Sequence, residues 1–295
     1  MEVTTDPKGD YDLLHLQWIG PRSLHYAHLA HQRGKPVALT VHTTPDLIEG
    51  AFTMSHVLVS PYRRYLRWFM RHVDLLITPS QQAAESLRPL AAGKRIHVFS
   101  GGIDLDRFSF DEETRVHYRS EHSLDRPTVL SVGQVIPRKG VRTFLDVARL
   151  LPQFDFLWIG PRVSPILFYN PHFNRILRHR PSNVRFLGFD PNIERAYCGC
   201  DLLFHPSHSE SLGLVILEAA AVGLPLVVRR LPVYRSWLKD GTNCRMGGSA
   251  QEFAGAIADI LSGQAQHISS REVATPHSLH TVGRELIASY EEVLR

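Results

Sequence analysis

Cysteine is scarce in this chain, with three among 295 residues. Cys198 and Cys200 are separated by a single residue, and Cys244 is the only other, so the spacing offers no second pair for a zinc site. A small disulfide-stapled scaffold would need a far higher cysteine content. We therefore predict that Cys198 and Cys200 are small core residues of a protein from a reducing compartment.

Long hydrophobic runs are also missing from the sequence. No apolar stretch approaches the ~18 residues that a membrane-spanning helix requires. The first twelve residues are polar and acidic, which is unlike the apolar segment of a signal peptide. We therefore expect a cytoplasmic protein without a spanning helix.

An excess of charge of one sign is absent as well. The 33 Lys and Arg residues against 29 Asp and Glu residues give a net charge of +4 and a pI near 9.0. This balance is too small to predict nucleic-acid binding, and we expect none. Hydrophobic residues make up 43% of the chain, as in globular proteins, and its length allows two domains with their own cores.

Short apolar strands alternate with helices along both halves of the chain. This alternation predicts an α/β protein whose parallel sheets carry helices on both faces. Residues 110–126 are charged and poor in apolar side chains, so we interpret them as a linker. The predicted strands lie at 12–17, 36–41, 74–78 and 95–99, and then at 128–133, 154–159, 184–188, 202–204 and 226–228.

These patterns predict two doubly wound domains, residues 1–124 and 125–295. The second domain would include the C-terminal helices predicted at 251–261 and 281–294. Open α/β sheets bind ligands at the carboxyl ends of their strands, and the polar motifs of this chain follow strands. We therefore expect a ligand in a cleft between the two domains.

Two carboxylates stand around the predicted start of a helix, with seven residues between them. Glu210 lies in a turn of polar and small residues, and Glu218 lies about one turn inside a helix that ends at Gly223. The backbone N–H groups between them, those of Ser211, Leu212, Gly213 and Leu214, lack helical partners and favour an anion. N–H donors for a phosphate and carboxylates for hydroxyl groups suit a sugar nucleotide. Taken alone, two solvated glutamates on an amphipathic helix would explain the pair equally well.

A second polar loop, residues 133–140 (GQVIPRKG), follows a predicted strand and precedes a helix. It has neither the Walker sequence nor the GxGxxG spacing of dinucleotide-binding folds. Its distinctive feature is the neighbouring pair Arg138 and Lys139, because Arg binds phosphate oxygens in a bidentate manner and Lys adds a point charge. Taken alone, this sequence would fit a solvent-exposed basic turn that binds no phosphate equally well.

These motifs together resemble the family 4 retaining glycosyltransferases. Glu210 and Glu218, with residues 223–228 (GLPLVV), are similar to the two-glutamate motif of that family, and residues 138–140 are similar to its Arg-Lys-Gly segment. Residues 229–234 (RRLPVY) and 237–241 (WLKDG) are closer still to one branch, the bacterial diacylglycerol glucosyltransferases. The resemblance implies a GT-B fold of two Rossmann-like domains facing a cleft.

The resemblance also implies a role for each candidate residue. Glu210 would face the donor sugar, Glu218 would hold the ribose hydroxyl groups, and His42, at the end of a predicted strand, would lie beside the anomeric carbon. Arg138 and Lys139, with the N–H groups of residues 211–214, would neutralise the departing diphosphate without a metal ion. The family usually opens with a further strand and a Gly-rich loop, so we expect the N-terminal domain to be incomplete.

The function implied is transfer of a hexose, glucose from UDP-glucose, to the hydroxyl group of diacylglycerol, with retention of the anomeric configuration. No cofactor is expected. Two alternatives stay open: a non-catalytic module that binds sugar nucleotides, and the same transferase acting on a soluble sugar or a polysaccharide.

The predicted helix at residues 62–73 carries a separate pattern. Apolar side chains cover one face of its helical wheel, and four arginines, Arg63, Arg64, Arg67 and Arg71, gather on the other. Such a helix can lie in the headgroup layer of an anionic membrane. A domain helix with its apolar face in the core has the same pattern. With the lipid-modifying relatives in mind, we expect a peripheral protein on the inner face of the cell membrane.

Overall fold

The computed structural model describes residues 2–6, 9–48, 55–162, 171–264 and 270–295. The strands are β1 Leu14–Leu16, β2 Val37–Thr40, β3 Leu75–Thr78, β4 Ile96–Val98, β5 Thr128–Val132, β6 Asp155–Ile159, β7 Val184–Gly188, β8 Leu202–His205, β9 Leu226–Arg229 and β10 Arg245–Gly247. The helices are α1 Pro21–Gln32, α2 Pro45–Ile48, α3 Ser55–Phe69, α4 Gln81–Leu87, α5 Glu112–Glu121, α6 Val141–Leu150, α7 Pro171–Arg178, α8 Ile193–Gly199, α9 Leu214–Val222, α10 Ala250–Leu261, α11 Arg271–Ala274 and α12 Leu279–Leu294. Every predicted strand is present, most of them one or two residues shorter than predicted.

The chain forms two compact units. Unit 1 contains the described residues up to Gly102 together with Leu279–Arg295, and unit 2 contains Ile103–Ser278. Both sheets are parallel: β1-β2-β3-β4 in unit 1 and β10-β9-β8-β5-β6-β7 in unit 2. The predicted class, α/β with two Rossmann-like units, is confirmed.

Alternate residues of the unit 2 strands point to opposite faces of the sheet, as the twofold period of a strand requires. Leu130 and Leu203 face α8 and α9 in one core, whereas Val129 and Phe204 face α6 and α10 in the other. Helices therefore cover both faces, which explains why the strands are continuous apolar runs. The predicted burial of Cys198 and Cys200 is confirmed, and all three cysteines are unpaired.

Unit 1 is closed by the last helix of the chain. One face of its sheet packs against α1 and α3, and Ala38, Leu75 and Ile77 on the other face pack against Leu286 and other apolar residues of α12. The sequence-based division at residue 124 therefore differs from the compact units at two points. The first unit ends at Gly102, and α12 belongs to it, because its apolar face covers that sheet.

The expectation that residues 110–126 form a linker is wrong. Asp111 caps the helix α5 by accepting the N–H of Thr114 at 2.7 Å. The charged residues that suggested a linker are internal contacts: Arg115 donates to Asp201 at 2.5 Å, and Arg119 donates to the same carboxylate at 3.1 Å. Ion pairing across 86 and 82 positions of the sequence thus holds α5 against the rest of unit 2.

The apolar face of the predicted helix at 62–73 lies in the core of unit 1. Leu66, Phe69 and Val73 are fully buried, and Tyr62 and Tyr65 are partly buried beside them. That face is therefore not available for a headgroup layer. The exposed side of this segment is the one with the arginines and Trp68, which is 42% exposed. Among the described residues, no helix combines the length and the apolar character needed to cross a membrane.

Candidate functional site

The two polar loops of unit 2 follow adjacent strands in the centre of its sheet. Counted from β5, the strand order is 3-2-1-4-5-6, and the order reverses between β5 and β8. The loop with Arg138 follows β5, and the loop with Glu210 follows β8. In a parallel sheet such a reversal leaves a crevice at the carboxyl ends of the two strands, where ligands bind.

Direct hydrogen bonds join these two loops. Arg138 Nη1 donates to the carbonyl oxygen of Ser209 at 2.6 Å, and the backbone N–H of His208 donates to the carbonyl oxygen of Arg138 at 2.8 Å. The hydroxyl of Ser207 also donates to the Arg138 carbonyl oxygen, at 3.3 Å. Residues predicted separately from two distant parts of the sequence therefore form one surface.

Gly140 allows the loops to approach this closely. Its φ of +78° lies in the left-handed region, and a Cβ atom there would stand 2.2 Å from the carbonyl oxygen of Pro206. A side chain would therefore be strained by the backbone and would collide with the second loop. The Gly that follows Arg138 and Lys139 is thus a steric requirement of the junction.

Glu210 is held by two donors through a single oxygen. Lys139 Nζ donates to Oε1 at 2.6 Å, and His205 Nε2 donates to the same atom at 2.9 Å. The Glu210 side chain is only 7% exposed, and burial alone would raise its pKa. The hydrogen bond from His205 and the charge of Lys139 outweigh burial, so the pKa of Glu210 falls well below its usual range. Burial lowers the pKa of His205, which makes it a neutral donor.

The turn after Glu210 leads directly into α9. Gly213 precedes the helix with a φ of +92°, and the N–H of Ile216 closes the first turn on the Gly213 carbonyl oxygen at 2.9 Å. Leu212 is buried, and Leu214 is exposed. The first N–H groups of a helix have no partners within it, so this turn presents backbone donors beside Arg138 and Lys139.

Glu218 lies one turn into α9, as predicted. Its Oε2 accepts a hydrogen bond from the hydroxyl of Tyr197 at 2.7 Å. Burial raises the pKa of Glu218, while the Tyr197 hydrogen bond and Arg107 act in the opposite direction.

His42 belongs to unit 1, where it follows β2. Its Nε2 lies 2.8 Å from Gln17 Oε1, and because an amide oxygen only accepts, Nε2 carries the proton. Burial lowers the pKa of His42, which favours the neutral ring with Nδ1 as an acceptor. Gln17 also approaches His15, whose ring is held between Thr40 and Tyr290 at 2.7 and 2.6 Å.

Sequence reasoning missed the residues that support the candidates. His205 holds Glu210, Tyr197 holds Glu218, and Gln17 holds His42. A histidine at the end of an otherwise apolar strand, as in residues 202–205 (LLFH), is the one signal that could have revealed His205. In the ranges that the structure describes, no group of three or more His, Cys, Asp or Glu side chains could hold a metal ion.

Family models match both parts of the chain. The model described as glycosyl transferases group 1 covers residues 113–275, more than half of the 295 residues. The model described as glycosyltransferase family 4 covers residues 7–107. The chain belongs to glycosyltransferase family 4.

Two curated relatives of this glycosyltransferase act on lipids, according to their names. The processive diacylglycerol alpha-glucosyltransferase of Acholeplasma laidlawii is 30% identical over 304 aligned positions, which cover all of this chain and 89% of that protein. The alpha-galactosylglucosyldiacylglycerol synthase of Streptococcus pneumoniae is 27% identical, over 81% of this chain and 67% of that protein. The chain is thus similar to two glycolipid-forming enzymes.

Solved structures of glycosyltransferases share its fold. HepE of Anabaena, crystallised in complex with UDP and glucose, superposes with a TM-score of 0.77 at 20% identity, over 95% of this chain and 78% of that one. A sucrose-phosphate synthase of Thermosynechococcus elongatus superposes with a TM-score of 0.79 at 19% identity, over 96% and 74%. These similarities confirm the GT-B class of this family 4 glycosyltransferase.

In unit 2 of this glycosyltransferase, two cations, backbone donors and the Glu210 carboxylate lie around one strand-end junction, and Glu218 follows one turn into α9, where Tyr197 holds it. Arg138 uses Nη1 to join the loops, and Lys139 uses one of its three N–H bonds on Glu210, so both cations keep donors for another acceptor. Both described hydrogen bonds to Glu210 end on Oε1, which leaves Oε2 for a hydroxyl group. The arrangement suits a ligand with an anionic part and a hydroxyl-bearing part.

Proposed function

We propose that this glycosyltransferase transfers glucose from UDP-glucose to the hydroxyl group of diacylglycerol, with retention at the anomeric carbon. The support for the acceptor is the similarity to the diacylglycerol glucosyltransferase of Acholeplasma laidlawii along the whole chain. The support for the donor comes from that same name and from the UDP-glucose complex of HepE, whose fold this chain shares.

One observation carries the proposal: the loops after β5 and β8 form a single junction in which Arg138 contacts Ser209 and Lys139 contacts Glu210. A diphosphate bound here would meet Arg138, Lys139 and the N–H groups of Ser211 to Leu214. Glu210 would accept a hydrogen bond from the sugar, and Glu218 would accept hydrogen bonds from the ribose. Charge stabilisation of this kind, aimed at a leaving group in a shielded site, is a large term in enzymatic catalysis.

The proposed step needs no cofactor and no metal ion. The acceptor oxygen bonds to the anomeric carbon, the bond from that carbon to the phosphate oxygen breaks, and the departing phosphate accepts the proton of the acceptor on the same face of the sugar. Arg138 and Lys139 would balance the charge that develops on the diphosphate. His42, with its proton on Nε2, would position the sugar through Nδ1.

For the lipid acceptor, we propose that the enzyme works at an anionic membrane surface on the inner face of the cell membrane. The contact would be the exposed arginine side of α3 and the segment after it, with Arg63, Arg64, Arg67, Arg71 and Trp68. Each basic residue near an anionic surface contributes about 1 kcal/mol. A tryptophan at the rim suits the headgroup layer.

The test is a transfer assay that crosses nucleotide sugars with acceptors. UDP-glucose, UDP-galactose and GDP-mannose would each be offered diacylglycerol vesicles or soluble sugars, and the anomeric configuration of the product would be read by NMR. We expect α-glucosyl-diacylglycerol from UDP-glucose. The variant Glu210→Ala should keep UDP binding within a few-fold and lose at least 100-fold in transfer. Nucleotide binding without turnover on any acceptor would instead indicate a binding module.

A second candidate function has its own support. The apolar face of α3 is occupied in the core of unit 1, so a membrane contact would rest on charge and Trp68. The D-inositol 3-phosphate glycosyltransferase of Mycolicibacterium vanbaalenii is 28% identical over 98% of this chain and 68% of that protein. Transfer to a soluble polyol or sugar, with no dependence on vesicles, would establish this alternative and refute the lipid acceptor.

A further inference from the structure

Two buried polar atoms without a hydrogen-bond partner lie at the junction of the two loops. In the part of the chain that the structure describes, five side-chain atoms are buried and unpaired: Tyr11 Oη, Ser100 Oγ, Tyr118 Oη, Arg138 Nε and Tyr234 Oη. Two of them, Arg138 Nε and Tyr234 Oη, belong to the surroundings of the Glu210 turn. A buried polar group without a partner carries a desolvation penalty, so its persistence at a candidate site calls for a physical reason.

Tyr234 lies beneath the turn that opens α9. A Cβ atom on Gly213 would stand 3.4 Å from Tyr234 Cε1 and 3.5 Å from Tyr234 Oη, so the hydroxyl edge of the ring lies next to that turn. The ring has no exposed surface, and Trp237 packs edge-on against it with the ring centroids 5.6 Å apart. Tyr234 is therefore fixed in place, with its hydroxyl edge beside Gly213.

The chemistry of the unpaired atoms indicates what they would bind. Burial raises the pKa of Tyr234 well above its usual value, and the nearby charge of Glu210 raises it further, so the hydroxyl stays protonated. Arg138 Nε is also an N–H donor, and Lys139 beside it has only donors. The unused hydrogen-bonding capacity of the junction is therefore rich in donors, which matches a ligand whose oxygens only accept, such as a diphosphate.

We propose that Tyr234 is a positioning residue of the donor site: it supports the Gly213 turn, and its hydroxyl gains its missing hydrogen bond from an acceptor in that turn once the turn has bound the diphosphate of a nucleotide sugar. This inference rests on the proposed function, since it needs a diphosphate at the junction. Tyr234 acts through the turn and not by contact with the reacting atoms.

The test compares two phenylalanine variants of the whole chain. Tyr234→Phe removes the unpaired hydroxyl at the turn. Tyr118→Phe removes the unpaired hydroxyl of an equally buried tyrosine between α5 and α8, where its ring contacts Gly199. Removing an unpaired buried hydroxyl should raise Tm by about 2–4 °C in both variants, because the desolvation penalty of that hydroxyl disappears. The Kd for UDP, measured by calorimetry, should rise about tenfold in Tyr234→Phe and stay unchanged in Tyr118→Phe.

The outcomes separate the inference from the proposed function. If the wild-type protein binds UDP and Tyr234→Phe binds it equally well, the inference fails and the proposed function stands. A lower Tm in Tyr234→Phe would also overturn it, because the hydroxyl would then have a partner within the protein. If the wild-type protein binds none of UDP, GDP and ADP, both the proposed function and the inference fall.

Discussion

At Glu210, one carboxylate oxygen accepts hydrogen bonds from Lys139 and from His205. The ion pair is nearly buried, with Lys139 16% and Glu210 7% exposed. Breaking a buried pair from one side leaves the other charge without compensation, which costs about 3 kcal/mol or more. The proposed sugar ligand of this enzyme is therefore also a structural residue of unit 2.

This double role predicts a pH-dependent stability. The pKa of Glu210 is lower in the folded protein than in the unfolded chain, so its contribution is present above the unfolded pKa of about 4 and is lost as pH falls toward the folded value. At pH 7, Glu210→Gln should lower the free energy of unfolding by about 3 kcal/mol. The difference from wild type should shrink by about 1.4 kcal/mol per pH unit below pH 4. Urea unfolding of both proteins at pH 7, 4 and 3 measures this difference in the free energy of unfolding. A difference that does not change with pH would contradict a stabilising role for the ionised Glu210 carboxylate.

A second prediction at the residue scale concerns the tautomer of His42. Gln17 Oε1 accepts from His42 Nε2, which leaves Nδ1 as the acceptor. Gln17→Leu removes that acceptor and should lower kcat about tenfold, with little change in the affinity for UDP, because the proposed donor site lies in unit 2. Gln17→Glu keeps an acceptor and should retain the tautomer, with the added charge raising the pKa of His42 and shifting the acid limb of the kcat profile to higher pH. An unaltered kcat in Gln17→Leu would remove His42 from the proposed mechanism.

The sequence predicted the candidate residues but not the residues that hold them in place. Glu210, Arg138 and Lys139 stand out because charged residues next to strand ends form short, specific patterns. His205 and Tyr197 do not stand out, because their role depends on burial and on which atoms the fold brings together. Residue type and spacing do not encode those quantities.

At the scale of elements, the junction between the loops after β5 and β8 depends on Gly140. Gly140→Ala should cost more than about 2 kcal/mol and abolish UDP binding, because the new Cβ would overlap the Pro206 carbonyl oxygen and separate the loops. Gly223→Ala is the matched control: its φ is +94°, but a Cβ atom there would have no atom within 4 Å apart from those of its immediate chain neighbours and its own helix backbone. It should cost about 1 kcal/mol and leave UDP binding intact. Chemical unfolding measures the stability of both variants, and titration with UDP measures their affinities. Equal UDP affinities in Gly140→Ala and Gly223→Ala would show that UDP binding does not need the two loops to lie this close.

The arginine side of α3 makes a prediction about vesicles. Arg64→Glu, Arg67→Glu and Arg71→Glu together should lower binding to phosphatidylglycerol vesicles by at least 100-fold, at about 1 kcal/mol per residue. The folded state should survive, because these side chains are exposed. Co-sedimentation with neutral phosphatidylcholine vesicles is the control and should be weak for both proteins. Binding that does not change on charge reversal would favour the soluble acceptor.

Two expectations about individual elements show that sequence patterns do not predict contact partners. Residues 110–126 suggested a linker because their charges look solvated, yet Arg115 and Arg119 bind Asp201 across 86 and 82 positions. The stripe on α3 suggested a membrane face or a core face, and only the surrounding packing of Leu66 and Phe69 decides for the core. Periodicity predicts that a face is covered, but not by what.

At the scale of the whole molecule, the chain returns to its first unit at the end. The apolar face of α12 covers Ala38, Leu75 and Ile77. A stop after Ser278 should therefore raise hydrogen exchange in β2 and β3, while UDP affinity should stay within a few-fold, since the proposed donor site lies in unit 2. Exchange monitored by mass spectrometry, with UDP titration in parallel, gives both readouts. Protection of β2 and β3 that matches wild type would show that α12 contributes little to unit 1.

The packing of α12 against unit 1 also affects how the protein folds during translation. Domains usually fold in the order in which they are synthesised. Here the residues that cover one face of the sheet of unit 1 are synthesised only after every element of Ile103–Ser278. The unit with the proposed donor site can thus complete its structure during translation, whereas the unit encoded first has to wait with one face of its sheet uncovered until α12 has been made.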